Sequence, residues 1–175
     1  MTENTITPRP ITPGARIGHV HLKVADIERS LAFYCGVLGF ELMQRWGADA
    51  AFISAGGYHH HIGLNTWESR GGAPPPPGTT GLYHLAILYP DRASLGDALR
   101  RVLAAGIRLE GASDHGVSEA LYLSDPDGNG VELYRDRPEE EWPRPADGSR
   151  GVAMGSAPID LEALLREAPA EAGAD

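Results

Sequence analysis

The sequence predicts an α+β chain built from two β-α-β-β-β units, and an internal repeat is the main observation behind this prediction. One copy of the repeat runs from His19 to Asp26, and the other runs from His84 to Asp91. The histidine and the aspartate keep the same spacing in both copies, and a helical pattern follows each aspartate. A Pro-rich stretch, 67–80, separates the copies and indicates a spacer between two similar modules.

The first module begins with residues 17–24, whose alternating apolar and β-branched pattern predicts a strand. Asp26 is placed to cap the following helix, and Gly39 is placed to end it. One face of this helix carries the apolar residues Ile27, Leu31, Tyr34, Cys35 and Leu38. Strand-like runs then follow at 40–46, 50–55 and 60–66.

The second module repeats this order. A strand is predicted at 82–89, Asp91 caps a helix, and Gly106 ends it. The apolar face of this helix consists of Leu95, Leu99, Val102 and Leu103. Further strands are predicted at 107–110, 119–124 and 130–135. The turn sequence Asp-Pro-Asp-Gly-Asn-Gly joins the last two, and it puts Tyr122 and Glu132 on neighbouring strands of one hairpin.

Two segments lie outside the modules. The polar, Pro-rich residues 1–15 are predicted to form a flexible arm. The acidic, Pro-rich residues 138–175 form an extension with one amphipathic stretch, which contains Ile159, Leu161, Leu164 and Leu165. We expect a short helix there, packed on the body of the protein or on a second subunit.

Composition excludes several classes of partner. The formal net charge of −9 argues against a nucleic-acid partner. No apolar run approaches the roughly 20 residues that cross a bilayer, and the start of the chain lacks a signal-peptide pattern. The single cysteine, Cys35, cannot form an internal disulfide and fits a reducing compartment. We therefore expect a cytoplasmic protein with no membrane partner.

Glu132 is the first candidate for chemistry. It alternates with Val131 and Leu133, so it faces the opposite side of its strand and shares that side with Tyr134. An ionised carboxylate that lines a cavity needs a cation or hydrogen-bond donors. A bound metal would satisfy this need.

His19 and His84 are the matching candidates. A lone strand histidine is usually a core or surface residue, but two at equivalent positions of a repeat indicate a site between modules. Together with Glu132 they form a plausible set of metal ligands that leaves open positions for chemistry. His21 shares the face of His19 and is either a competing ligand or a group that supports the ligands. Only His19 has a partner in the repeat, which favours it.

A run of three histidines adds candidates for proton transfer. Alternation would put His59, His61 and Gly63 on one strand face and His60 on the other. A histidine beside a metal is suited to acid–base work because its pKa lies near neutrality. His115, in the loop before the strand of Tyr122, is a weaker candidate.

These motifs resemble those of the vicinal oxygen chelate superfamily, which includes glyoxalase I, bleomycin-resistance proteins, fosfomycin-resistance enzymes and extradiol dioxygenases. The resemblance covers about residues 15–137. Its carriers are His19-x-x-Leu-x-Val-x-Asp26, Ser30-Leu-Ala-Phe-Tyr-x-x-Val-Leu-Gly-Phe40, His84 in the repeat, and Asp125-Pro-Asp-Gly-Asn129 before Glu132.

The resemblance implies paired βαβββ modules, the glyoxalase/bleomycin resistance/dihydroxybiphenyl dioxygenase-like fold, in which curved sheets enclose a metal. It implies a domain at 16–137, with modules at 16–66 and 81–137. It also implies His19, His84 and Glu132 as the metal ligands. Glyoxalase I enzymes add a carboxylate on the last strand of the first module, where this chain has Gly63 at about that point.

The catechol 2,3-dioxygenase-like branch is the most similar. Its members have an acid–base histidine on that same strand, which the run from His59 to His61 matches, and a tyrosine ten residues before the glutamate, which Tyr122 matches. Their loop histidine corresponds approximately to His115. The resemblance therefore implies an extradiol-type dioxygenase that uses Fe(II), dioxygen and a catechol-like substrate in aromatic compound catabolism.

In this hypothesis His61 moves protons, while Tyr122 and His115 hydrogen-bond the substrate oxygens. His21, His59, His60 and Tyr134 contact the substrate or support the ligands. Manganese, zinc and nickel remain alternative metals, and a homodimer is expected. Two rival functions stay open: another metal-dependent reaction, such as a glyoxalase-like isomerase or lyase or a fosfomycin-resistance-type transferase, and metal-free binding of a small molecule of the bleomycin-resistance kind.

Overall fold

A computed structural model of the chain describes residues 9–170. Residues 1–8 of the expected N-terminal arm and the last five residues of the extension lie outside the described part. The described residues form two four-stranded sheets with helices packed against them. The two sheets have the same topology, which confirms the paired βαβββ modules expected from the repeat.

The first sheet has the strand order β1-β4-β3-β2. Its strands are β1 (Val20–Lys23), β2 (Glu41–Trp46), β3 (Ala50–Ser54) and β4 (Ile62–Asn65). The second sheet has the order β5-β8-β7-β6. Its strands are β5 (His84–Leu88), β6 (Gly111–Asp114), β7 (Ser118–Ser124) and β8 (Gly130–Asp136). In each sheet the first strand of the module runs parallel to the last, and the other pairs are antiparallel.

The first two helices begin where the sequence places their caps. Helix α1 (Ile27–Leu31) continues into a π-helical turn (Ala32–Val37), α2 spans Arg92–Ala104, and α3 spans Leu161–Glu167. The carboxylate of Asp26 accepts a hydrogen bond from the Arg29 amide, and that of Asp91 accepts one from the Ser94 amide. Both caps satisfy amide groups that the first helical turn leaves without a partner.

One predicted strand is wrong: residues 107–110 are not a strand, and β6 starts at Gly111. Ile107 and Leu109 do turn towards the core, which explains the alternating pattern. Pairing between β6 and β7 is set instead by the turn at 115–117, which places Asp114 opposite Glu119. A strand joined to its partner by so short a turn must end beside that turn.

The histidine run also differs from its prediction. Strand β4 starts at Ile62, so His59, His60 and His61 precede it and do not alternate between two faces. The rings of His59 and His60 contact each other, with 2.8 Å between their Nδ1 atoms.

The modules share one continuous core. Its largest fully buried members come from both modules and the extension: Tyr34, Ile53, Leu64, Leu95, Leu99, Leu121, Leu123, Leu133 and Leu164. Leu164 lies on α3, which packs against α2. The helix therefore packs on the body of the protein, which is one of the two placements predicted for it. Gly96 makes the close approach possible, because a Cβ there would lie 2.4 Å from the carbonyl oxygen of Leu164.

The turn between β7 and β8 joins the second module to the first. Asp125 accepts hydrogen bonds from the amides of Asp127 and Asn129, which hold the turn closed. Its second oxygen accepts from the buried hydroxyl of Tyr34, in the first module. Asp127 accepts from the Ala25 amide. The start of β8, and therefore Glu132, is held in place relative to the first module.

Candidate functional site

His84 and Glu132 meet on neighbouring strands of the second sheet. Parallel pairing of β5 with β8 sets Ala86 opposite Glu132 and Gly130 opposite His84. The Nε2 atom of His84 lies 2.9 Å from Oε2 of Glu132. Glycine at 130 leaves room for this arrangement, because a Cβ there would lie 3.0 Å from the Cβ of His84 and 2.1 Å from the Tyr83 carbonyl oxygen.

Tyr122 extends this pair along the sheet. It stands opposite Glu132 in the β7–β8 ladder, and its hydroxyl donates a hydrogen bond of 3.1 Å to Oε1 of Glu132. Burial raises the pKa of Tyr122 to about 12, with further contributions from the charge and the hydrogen bond of Glu132. The phenol is therefore protonated, and a donor, at neutral pH.

His115 continues the chain of contacts. Its Nε2 lies 2.7 Å from the Tyr122 hydroxyl, and its Nδ1 lies 2.8 Å from the carbonyl oxygen of Gly155. His84, Glu132, Tyr122 and His115 thus form one connected polar row. The sequence analysis names all four as candidate site residues. It gives no sign of the contact with Gly155, because residues 155–157 show no strand pattern of their own.

The His84–Glu132 pair suits a divalent metal. Imidazole nitrogen and carboxylate oxygen are ligands for iron, manganese, zinc and nickel. Ligand atoms about 2.1 Å from a metal and at right angles to each other are about 3 Å apart, close to the 2.9 Å between these two atoms. The Nδ1 atom of His84 is buried and has no hydrogen-bond partner among the described residues. The neutral ring therefore keeps its proton on Nε2, the position that a metal would take.

His19 does not join this pair. It lies just before β1, where its ring packs 4.5 Å, centroid to centroid, from that of His60. Within residues 9–170, no group of three or more His, Cys, Asp or Glu side chains is arranged to hold a metal. The three-ligand set of His19, His84 and Glu132 therefore stays a prediction.

A cavity nevertheless connects one predicted ligand of each module. It has a volume of about 670 Å³, and both His19 and His84 line it. His61 and Tyr134 also line this cavity, and the remaining wall is largely apolar, with Phe40, Ile62, Leu82, Leu85, Ile87 and Leu88 among its residues. His19 is thus placed on the first-module side of the same space that His84 borders.

His21 occupies a different position. In the first sheet it stands opposite Gly63, as Ala86 stands opposite Glu132 in the second. Gly63 is therefore the structural equivalent of Glu132, and the ring of His21 fills the space beside it: a Cβ on Gly63 would lie 2.9 Å from that ring. Burial lowers the pKa of His21, and the charge of His19 adds to this effect.

Within the histidine run, His61 is the residue that reaches the cavity. Its Nδ1 lies 3.0 Å from the Ser54 hydroxyl and accepts a hydrogen bond from the Ala55 amide. Because Nδ1 is an acceptor, the neutral ring carries its proton on Nε2. His59 and His60 are not among the residues lining the cavity.

The fold agrees with comparisons to known proteins. A family model described as "Glyoxalase/Bleomycin resistance protein/Dioxygenase superfamily" matches residues 16–133. The chain belongs to this superfamily. Among solved structures, a glyoxalase/dioxygenase from Nostoc punctiforme of the same superfamily fold is similar with a TM-score of 0.62 and 21% identity, covering 76% of this chain and 100% of that one.

Several relatives of the chain are named as dioxygenases. The chain is 44% identical over 153 residues to Catechol-2,3-dioxygenase of Bacillus subtilis (strain 168), which covers 87% of this chain and 52% of the relative. It is 31% identical over 126 residues to Biphenyl-2,3-diol 1,2-dioxygenase 2 of Rhodococcus globerulus, covering 72% of this chain and 65% of the relative. The chain thus spans about half the length of the Bacillus relative.

The chain also has relatives with other names. The chain is 27% identical over 122 residues to a probable lactoylglutathione lyase of Synechocystis sp. (strain ATCC 27184 / PCC 6803 / Kazusa), covering 67% of this chain and 92% of the relative. None of the helices described in residues 9–170 combines the length and apolar character needed to cross a membrane.

Proposed function

We propose that this protein is an extradiol-type dioxygenase that cleaves a catechol-like aromatic ring. The observation that carries the proposal is the polar row of His84, Glu132, Tyr122 and His115, which reaches the cavity at His84, in a chain 44% identical to a catechol 2,3-dioxygenase. Its substrates would be a small aromatic diol and dioxygen. A homodimer is part of the proposal, and the particle mass in solution would test it.

His84 and Glu132 would hold a divalent metal, with His19 as the third ligand from the other side of the cavity. We propose Fe(II), with manganese, zinc and nickel as the alternatives. When bound, such a metal brings the two oxygens of a catechol and dioxygen together and stabilises the charge that develops on them.

The protein's own groups would handle protons and orientation. Tyr122, which is protonated at neutral pH, would donate a hydrogen bond to a substrate oxygen. His115 would exchange a proton with Tyr122 across the 2.7 Å that separates them. His61 would serve as acid or base from the first-module wall through Nε2. The apolar residues of the cavity would pack on the aromatic ring and exclude water.

Two observations weigh against the rival functions. Gly63 stands where the first module would supply a further carboxylate, so the ligand set expected of glyoxalase I is incomplete. Among the described residues that line the cavity there is no lysine or arginine, and a transferase acting on a phosphonate needs such cations.

The test begins with metal content. Protein purified without oxygen and loaded with Fe(II) would be compared with Glu132→Gln, and with Glu41→Gln as a control for losing an exposed strand carboxylate. We expect stoichiometric iron in the wild type and the control, and a loss in Glu132→Gln. Oxygen uptake and ring-cleavage absorbance with catechols would follow. Iron binding without oxygen uptake for any catechol would reject the dioxygenase, and unchanged iron in Glu132→Gln would reject the site.

A further inference from the structure

The extension returns to the second sheet after β8. Residues 153–157, which we call the strap, run beside the outer strand β6. The amide of Asp114 donates to the carbonyl of Ala157 over 2.8 Å, and the amide of Ala157 donates to the carbonyl of Asp114 over 2.9 Å. The hydroxyls of Ser113 and Ser156 lie 2.7 Å apart. The strap therefore pairs with the end of β6 that leads into His115.

Gly155 holds His115 twice. Its amide donates a hydrogen bond of 3.1 Å to the carbonyl oxygen of His115. Its own carbonyl oxygen lies 2.8 Å from Nδ1 of the His115 ring. One residue thus contacts both the backbone and the side chain of His115.

Both ends of the strap are anchored elsewhere. Before it, the Trp142 indole donates to the carbonyl of Arg137, and Pro143 accepts from the Ala153 amide. After it, α3 buries Leu164 completely against α2. Packing on the body therefore sets the path of the strap, and the strap in turn sets the position of His115.

The contact with Gly155 also selects the tautomer of His115. A carbonyl oxygen only accepts, so Nδ1 must carry a proton; the other tautomer would turn a lone pair towards the carbonyl oxygen. The nitrogen that faces Tyr122 is then Nε2. The hydroxyl of Tyr122 has one proton to donate. When Nε2 is bare, the phenol donates to His115 in place of Glu132, and when Nε2 is protonated, it donates to the phenol oxygen while Tyr122 donates to Glu132.

We propose that Gly155 is a positioning residue, through which the C-terminal extension fixes the orientation and tautomer of His115 so that Nε2 faces the hydroxyl of Tyr122. The catalytic consequence rests on the proposed function. The positioning itself does not, because it concerns a contact that exists without substrate or metal.

The test compares Gly155→Pro with Gly155→Ala. Proline removes the amide that holds the His115 carbonyl, whereas alanine keeps both backbone groups and meets no atom within 4 Å of its Cβ. Ala157→Pro is a second variant, which breaks the strap at a different hydrogen bond. Long-range ¹H–¹⁵N spectra of ring-labelled protein report the tautomer of each histidine, and His115→Gln assigns the signal.

We expect the Nδ1–H form of His115 in the wild type and in Gly155→Ala, and a mixture of tautomers in both proline variants. In the iron-loaded protein, kcat should fall about tenfold or more in the proline variants, with KM changed by less than about threefold and iron content retained. An unchanged tautomer in both proline variants would overturn the proposal whatever the activity. A changed tautomer with unchanged kcat would overturn its catalytic part. A wild type that cleaves no catechol would reject the proposed function and leave the tautomer result to decide the positioning.

Discussion

The hydroxyl of Tyr34 donates a hydrogen bond of 3.0 Å to the carboxylate of Asp125, across the boundary between the two modules. Both residues are buried, and Asp125 also closes the turn that leads into β8. This contact therefore links the orientation of the modules to the strand that carries Glu132. It gives a direct way to test how strongly the modules depend on each other.

Removing the donor should destabilise the whole chain. In Tyr34→Phe, Asp125 loses a partner in a buried place, so we expect the free energy of unfolding to fall by about 1.5–3 kcal/mol. Urea unfolding followed by fluorescence and circular dichroism would measure it. Tyr58→Phe, which changes an exposed tyrosine, is the control and should unfold like the wild type. Equal stability of the two variants would mean that this bond does not hold the modules together.

The same pair predicts a loss of stability at alkaline pH. Burial, followed by the charge of Asp125 and the hydrogen bond to it, raises the pKa of Tyr34 well above its usual value. A raised folded pKa gives stability that is complete below the unfolded pKa of about 10 and is lost as pH rises from there towards the folded pKa. The stability difference between wild type and Tyr34→Phe should therefore shrink above about pH 10. Urea midpoints measured from pH 7 to pH 11 would show a constant difference if the pKa were not raised.

The His21 ring should make glycine necessary at position 63 for full stability. In Gly63→Ala the new methyl group would lie 2.9 Å from the His21 ring. We expect a loss of about 1–3 kcal/mol in the free energy of unfolding, and recovery of most of it when His21→Ala is added. Gly36→Ala, where the new Cβ meets nothing, serves as the control. If the double variant were as unstable as Gly63→Ala alone, the clash would not be with His21.

Tyr122→Phe should separate binding from turnover. It removes the hydroxyl that joins Glu132 to His115 but keeps the ring. Under the proposed function we expect kcat to fall by about a hundredfold, with iron content unchanged. Steady-state oxygen uptake beside metal analysis would check both. Tyr83→Phe, at a highly exposed tyrosine beside the site, should retain wild-type kcat. Full activity in Tyr122→Phe would remove Tyr122 from the proposed proton path.

The ion pair between Asp114 and Arg137 should contribute least to folding stability in acid. The hydrogen bond from Arg137 lowers the pKa of Asp114, and the Gly116 amide adds to this effect. A lowered folded pKa gives stability that is present above the unfolded value of about 3.9 and is lost as pH falls through the folded pKa. Asp114→Asn should thus be less stable than wild type near pH 7 and approach it below about pH 4. Thermal unfolding from pH 3 to pH 7 would measure this difference, with Asp136→Asn as the exposed control. If the pKa of Asp114 were normal, the difference in stability between wild type and Asp114→Asn would not change with pH.

Local patterns predicted most of the elements because their causes are local. The caps at Asp26 and Asp91 bind amides three residues away, so their role is readable from sequence spacing. The strand predicted at 107–110 failed because Ile107 and Leu109 face the core without a partner strand, and period-two burial alone does not reveal pairing. The alternation predicted for His59 to His61 failed for a related reason, since β4 starts only at Ile62.

By itself, the sequence determined the two βαβββ modules, the helix caps, and the hairpin that sets Tyr122 opposite Glu132, because each depends on residues close together in the chain or on a visible repeat. The tertiary structure decided the contacts that depend on distant segments. The pairing of β5 with β8 brought His84 to Glu132, and His21 came to lie against Gly63. The extension supplied Gly155 to His115 from 40 residues away. Such contacts depend on how whole elements pack. Every residue has a backbone carbonyl group, so a hydrogen bond that this group accepts cannot be predicted from the type of residue.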